Sequence, residues 1–161
     1  MRPAVALAAF LVALLSSACT PVTHGAEPYR SDPELARTLE QRAAQICAER
    51  RGAGGLPPRP FTTDGCSVWF DSSWKHCCVE HDIDYWCGGS AEDRRRADRE
   101  LRDCVSQVAG GVLPGMMRAG VRVGGAPWYP VPWRWGYGWD YCRGYDTGAD
   151  TRQLESSSTE D

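Results

Sequence analysis

The chain has 161 residues, room for one hydrophobic core and hardly two. Hydrophobic residues make up 42% and charged ones 24%, a globular composition, and a formal charge of −3 excludes a nucleic-acid binder driven by bulk positive charge. Eight cysteines point to an oxidising compartment or a metal, and because only the first 18 residues hold an apolar run, a polytopic membrane protein is excluded.

That run reads as an export signal over residues 1–18. Met1-Arg2 gives a positive start, and Ala4 to Leu15 is apolar but too short to span a bilayer. Ser16, Ser17 and Ala18 precede Cys19. Two outcomes stay open there: ordinary cleavage, giving a secreted protein, or lipid attachment at Cys19, giving an anchor at the bacterial cell envelope. Residues 19–31 are polar and read as a flexible tether.

A folded domain is expected over residues 32–147. Pro33 opens a helix capped by Asp32 or Ser31, and Leu35, Leu39, Ala43, Ile46 and Cys47 give it one apolar face. The Gly/Pro-rich stretch from Gly52 to Pro60 ends it. After a loop from Phe61 to Ser73, a second helix runs from about Trp74 to Trp86, and Gly88-Gly89 stops it. Ser90-Ala91-Glu92-Asp93 looks like a capped restart. The third helix then spans Ala91 to about Val108, with Ala97, Leu101, Cys104, Val105 and Val108 inward. A two-glycine hinge makes these two helices an antiparallel pair.

The last third differs. Gly110 to Gly125 holds six glycines, and Trp128 to Tyr141 holds four Trp and three Tyr. Those rings either cover a small three-helix core or form a rim at a membrane interface. Residues 148–161 read as a disordered tail. The expected class is all-α and disulfide-linked: an antiparallel helix pair, an N-terminal helix and an aromatic-rich irregular C-terminal segment.

The chemistry concentrates in Cys77-Cys78-Val79-Glu80-His81-Asp82-Ile83-Asp84-Tyr85. On a helix, Cys77, His81 and Asp84/Tyr85 share one face, and Cys78, Asp82 and Tyr85 the adjoining one. Asp98 lies six residues before Cys104 on the facing helix. If Cys104 bonds to a cysteine near the start of the second helix, Asp98 is carried toward His81. It would then hold the imidazole in one tautomer and make the other ring nitrogen a base. Asp82 points elsewhere on the helix, free to offer oxygen to a hard cation. Other readings stand beside these. Asp98 sits among Arg94, Arg95, Arg96 and Arg99 and fits a surface ion pair. The Cys-Cys-x-x-His group fits zinc with Cys66 or Cys87. Asp71 is a helix cap or a cation ligand, and Arg94–Arg96 is a solvated face or a contact for anionic headgroups.

Cys77-Cys78-x-x-His81-Asp82-x-x-Tyr85, with Asp98 and Cys104 downstream and Asp64-Gly65-Cys66-Ser67 upstream, resembles the secreted phospholipase A2 superfamily. The resemblance covers Asp64 to Val105, about a quarter of the chain, and is closest to its bacterial and fungal branch. It implies His81 as the base that activates water, oriented by Asp98 with Tyr85 in the same network. It implies calcium (Ca2+) held by Asp82 and the loop at Gly65, Cys66 and Ser67. It also implies the disulfides Cys77–Cys104 and Cys66–Cys78, leaving the partners of Cys47, Cys87 and Cys142 open. Asp84 and Ala97 stand where many animal members pair two cysteines, so that bridge is absent as a unit. Trp69-Phe70-Asp71 replaces the usual Gly/Pro-rich continuation of the calcium loop. The implied activity is calcium-dependent hydrolysis of the sn-2 acyl ester of glycerophospholipids. The alternative is a catalytically inactive module of the same kind that binds lipid or protein. The expected partner is a phospholipid membrane surface, with no nucleic acid, and the expected state is a monomer.

Overall fold

The computed structural model describes residues 32–52, 55–66 and 73–147. The signal, the tether, Cys19, Ser67, Trp69-Phe70-Asp71 and the tail lie outside them. Four α-helices, and no strand among the described residues, make up the regular structure: α1 Pro33–Arg51, α2 Lys75–Cys87, α3 Ala91–Val108 and α4 Leu113–Gly124. A 3-10 turn follows at Tyr141–Arg143.

Each helix has a local cause. Asp32 caps α1 by accepting from the Leu35 N–H at 3.0 Å, and Pro33 occupies the first turn. Ala43 and Cys47 are its buried contacts, with Leu39 and Ile46 packed beside them. Leu35, expected inward, is 41% exposed, because the core contact begins a turn later at Leu39. The second helix is central, burying nine of its thirteen residues. It ends at Gly88 (φ 70°), where a Cβ would stand 3.1 Å from the Gly136 Cα, so only glycine fits this turn without strain. Ser90 and Asp93 then form a reciprocal capping box that launches α3.

The short turn forces α3 back along α2, and Cys77–Cys104 pins the far end of the pair. Val108, expected inward, is exposed: Cys77 lies one turn into α2, so α3 beyond Cys104 has no α2 to pack on. Two other bridges among the described residues tie Cys66 to Cys78 and Cys47 to Cys87. The latter fastens α1 to the end of α2, and Cys142 is disulfide-bonded too. Each bridge contributes about 2–4 kcal/mol in a small fold.

Helix α4 is absent from the sequence expectation, which left the glycine-rich stretch irregular. Leu113, Met117 and Val121 recur at four-residue spacing and pack on Leu101 and Val105 of α3. That burial outweighs the low helix propensity of its glycines. The aromatic segment behind it straps the end of α2. Gly136 N–H donates to Tyr85 O, Gly138 N–H to Trp86 O and Trp139 Nε1 to Cys87 O, while Trp135 Nε1 donates to Gly89 O. Carbonyls that a helix end leaves unpaired are thereby satisfied. Trp135 is buried, whereas Trp128 and Trp133 stand exposed, so this segment both packs and presents rings to solvent.

Candidate functional site

The antiparallel pairing brings His81 of α2 against Asp98 of α3. Asp98 is fully buried and His81 7% exposed, and the His81 Nε2 lies 3.0 Å from Asp98 Oδ1. Tyr85, one turn along α2, donates its hydroxyl to the same oxygen at 2.8 Å. Its ring is tilted against the imidazole with centroids 4.2 Å apart. The other carboxylate oxygen accepts from Arg122 Nη1 of α4 at 2.8 Å. Three helices therefore converge on one carboxylate. The surface ion pair with the α3 arginines is not formed: Asp98 faces inward, and its ionic partner comes from α4.

Burial alone would raise the Asp98 carboxyl, but the hydrogen bonds from His81 and Arg122 outweigh it and hold the group below its usual range. The Tyr85 hydroxyl is pushed far up by burial and then by the Asp98 charge, so it stays a donor. With Nε2–H given to an ionised Asp98, the lone pair of His81 sits on Nδ1.

Arg94 corrects another expectation. It belongs to no solvated face, being 2% exposed. Its Nε donates to the Tyr85 hydroxyl at 3.1 Å, and its Nη2 to the carbonyls of Val121 and Arg122 at 2.9 and 2.8 Å. It thus caps the C-terminal turn of α4 while holding Tyr85 toward Asp98. Its position four residues before Asp98 on α3 was a signal for this placement. Arg122 gave none, since nothing in the spacing of a glycine-rich stretch ties it to α3.

On the adjoining face of α2, Asp82 is turned to the loop before the helix. Thr63 Oγ1 donates to Asp82 Oδ2 at 2.6 Å and accepts from the Gly65 N–H at 3.0 Å. Asp82 is therefore half-buried and already anchored, rather than free. Burial, eased by the Thr63 bond and reinforced by the Asp64 charge, raises its carboxyl well above the usual range. Cys66 closes this loop onto α2 through Cys78, and Ser67 lies outside the described residues. The zinc alternative loses its thiolates, because Cys66 and Cys87 are both oxidised. His76 lies 3.5 and 3.6 Å from the sulfurs of Cys77 and Cys104. This is the one close His/Cys/acid trio found among the described residues, and its sulfurs are spent in a disulfide.

His81, Asp82, Tyr85 and Gly65 line one end of a cavity of about 240 Å³. Leu101, Met117, Val121 and Trp133 line the rest, with Gly120 and Gly124 of α4 along one edge. Gly125 admits the Tyr85 ring, where a Cβ would come within 2.5 Å of it. The arrangement is an oriented imidazole and a carboxylate at the polar end of an apolar slot. Comparison of the chain with protein-family models, curated proteins and solved structures returned no match.

Proposed function

We propose that the protein is an exported phospholipase A2-type hydrolase that cleaves the sn-2 acyl ester of glycerophospholipids with calcium. The observation that carries this reading is the buried His81 Nε2–Asp98 Oδ1 contact, 3.0 Å long, at the wall of an apolar cavity. Asp98 fixes the tautomer, so His81 Nδ1 takes a proton from water as the water oxygen attacks the ester carbonyl carbon. The imidazolium so formed is stabilised by Asp98. Its proton passes to the glycerol oxygen as the carbon–oxygen bond breaks, releasing a fatty acid and a lysophospholipid. No serine nucleophile and no acyl-enzyme enter the scheme. The acyl chain occupies the slot between Leu101, Met117 and Val121.

The donor set beside His81 suits calcium. Asp82 would supply a carboxylate whose repulsion from Asp64 a cation relieves, and the loop at Gly65 and Cys66 would supply backbone carbonyls, all hard oxygen donors; Ser67, which the resemblance adds, lies outside the described residues. When bound there, the ion supplies Lewis-acid stabilisation of developing negative charge and a grip on the lipid phosphate. The disulfides Cys47–Cys87, Cys66–Cys78 and Cys77–Cys104 favour an oxidising compartment and so support export.

The test is fatty-acid release from phospholipid labelled in the sn-2 chain, with calcium and with a chelator. Release is expected with calcium alone, falling at least ~100-fold in His81→Asn. Release that survives both chelator and substitution, or that comes from sn-1, refutes the assignment. Lipid binding with no turnover at any calcium concentration favours the inactive module instead.

A further inference from the structure

An imidazole stands beside the Cys77–Cys104 bridge. His76 is exposed, and its Nε2 lies 3.5 Å from Cys77 Sγ and 3.6 Å from Cys104 Sγ. Neither the dyad nor the loop at Gly65 uses it. Zinc bonds sulfur at about 2.3 Å and nitrogen at about 2.0 Å, so two such ligands at a tetrahedral angle lie about 3.5 Å apart. Two edges of a face with two sulfurs and one nitrogen are therefore already at the length zinc requires. The third edge, between the sulfurs, is closed by their covalent bond and opens once that bond is reduced. Cys77 and Cys104 also line a cavity of about 170 Å³ with Glu80 and Glu100. It gives the separating sulfurs room and surrounds a cation with negative charge. Arg50 shares that cavity and is paired with Asp84.

Access selects this bridge. Cys104 is half-buried, whereas Cys47, Cys66, Cys78 and Cys87 are at most 6% exposed. An incoming thiolate therefore reaches Cys104 Sγ before any sulfur of the other two bridges. The sulfur it displaces, on Cys77, lies in the first turn of α2, whose dipole favours an anion. Cys142 is bonded and exposed too, but it belongs to no such trio among the described residues. We infer that His76, Cys77 and Cys104 form a thiol-gated zinc site, in which a dithiol reductant opens the bridge and one zinc ion then ties α2 to α3. The reductant's thiolate bonds to Cys104 Sγ and expels Cys77 as a thiolate. Its second thiol then closes on the first and releases Cys104. Two electrons pass from the dithiol, which leaves as a disulfide, to the two cysteine sulfurs. When both thiolates and His76 Nε2 take zinc, the two protons the dithiol brought go to solvent, and water fills the fourth position. An oxidising compartment keeps the bridge, and a dithiol reductant acting there produces the zinc form. The site shares no ligand with the hydrolase reading and requires no turnover.

The experiment uses full-length chain treated with rising dithiothreitol, desalted under nitrogen into excess calcium, with cobalt and then zinc as probes. Cobalt held by thiolate gives an intense near-ultraviolet charge-transfer band that oxygen ligands do not give. Alkylation with mass mapping is expected to find Cys77 and Cys104 opened before Cys47–Cys87 and Cys66–Cys78. The oxidised chain is expected to show no band, and the opened chain to show it at one cobalt per chain and lose it to equimolar zinc. Zinc is expected to raise the Tm of the opened chain and leave that of the oxidised chain unchanged. His76→Asn, at an exposed position where the bridge still forms, is expected to weaken zinc at least ~100-fold. If the opened chain loses its circular dichroism spectrum, zinc must restore it in the parent and not in His76→Asn. Earlier opening of a buried bridge, a band in the oxidised chain, an opened chain without one, or equal zinc affinity in His76→Asn overturns the inference. A band that persists in Cys77→Ser/Cys104→Ser assigns the metal to other sulfurs and overturns it too. Every readout is of thiol or metal, so failure of the hydrolase reading leaves this result standing, and failure here leaves the hydrolase.

Discussion

Asp98→Asn separates a working dyad from a buried structural acid. The carboxylate accepts from His81, Tyr85 and Arg122 at 3.0, 2.8 and 2.8 Å. Asparagine has nearly the same shape but cannot serve all three donors. If its oxygen keeps His81 and Tyr85, its amide faces Arg122 Nη1, donor against donor. If it turns over, its amide faces Nε2, and the imidazole must move its proton to Nδ1, which removes the base. Charge-assisted bonds exceed neutral ones by about 1 kcal/mol each, so the three together are worth about 3 kcal/mol. A loss of that size lowers Tm by roughly 10 °C in a domain of this length. Activity is expected to fall further, by roughly 10²–10⁴ in kcat with KM unchanged, because Asp98 does not touch substrate. Initial rates of fatty-acid release and a thermal melt on the same preparation read both quantities. A variant that melts early yet keeps kcat within a factor of three would show Asp98 to be structural, and the general-base scheme would fail.

Other expectations follow from the same contacts. Arg94→Leu removes a donor from the carbonyls of Val121 and Arg122 and from the Tyr85 hydroxyl, although Val121 keeps the Gly125 N–H and Tyr85 keeps Asp98, and should cost about 2–5 kcal/mol, read as a lower urea midpoint with the same slope. Acid should destabilise the protein through Asp98. Its folded-state carboxyl is held below its ordinary value, so the associated stability is present above about pH 4 and is lost as pH falls through the folded value. Urea melts at successive pH values should show a steeper acid slope in the parent than in Asp98→Asn, in which Asp93, also held low by Ser90 and Arg96, still contributes. Calcium should raise the parent's Tm in proportion to the logarithm of its concentration, as binding to the folded state alone requires. Asp82→Asn should abolish that rise, and an unchanged rise would place the ion elsewhere.

How far the sequence reached depends on the range of the interaction. Helices α1 to α3 were legible because their causes are local: Pro33 after Asp32, the Ser90–Asp93 box and the apolar spacing of α3 all act within one or two turns. The disulfides Cys77–Cys104 and Cys66–Cys78 came from the resemblance, and the structure has both. Helix α4 escaped because its glycines argue against a helix in isolation. Its cause is a surface on α3 that Met117 and Val121 fill, and no local window contains that surface.

The site divides along the same line. His81, Asp82 and Tyr85 lie within five residues on one helix, and Asp98 lies at a fixed offset from a bridged cysteine, so a ruler along the chain finds them. Arg122 meets Asp98 across 24 residues and exists as a partner only once α4 has docked. Arg94 was visible, but its charge suggested solvent. What draws it inward is the end of α4, where it donates to the carbonyls of Val121 and Arg122 as well as to the Tyr85 hydroxyl. The two arginines are thus one device. Arg94 holds the last turn of α4 in place, and that turn delivers Arg122 to Asp98. A helix with weak propensity of its own is in this way fixed at the point where the candidate dyad needs it.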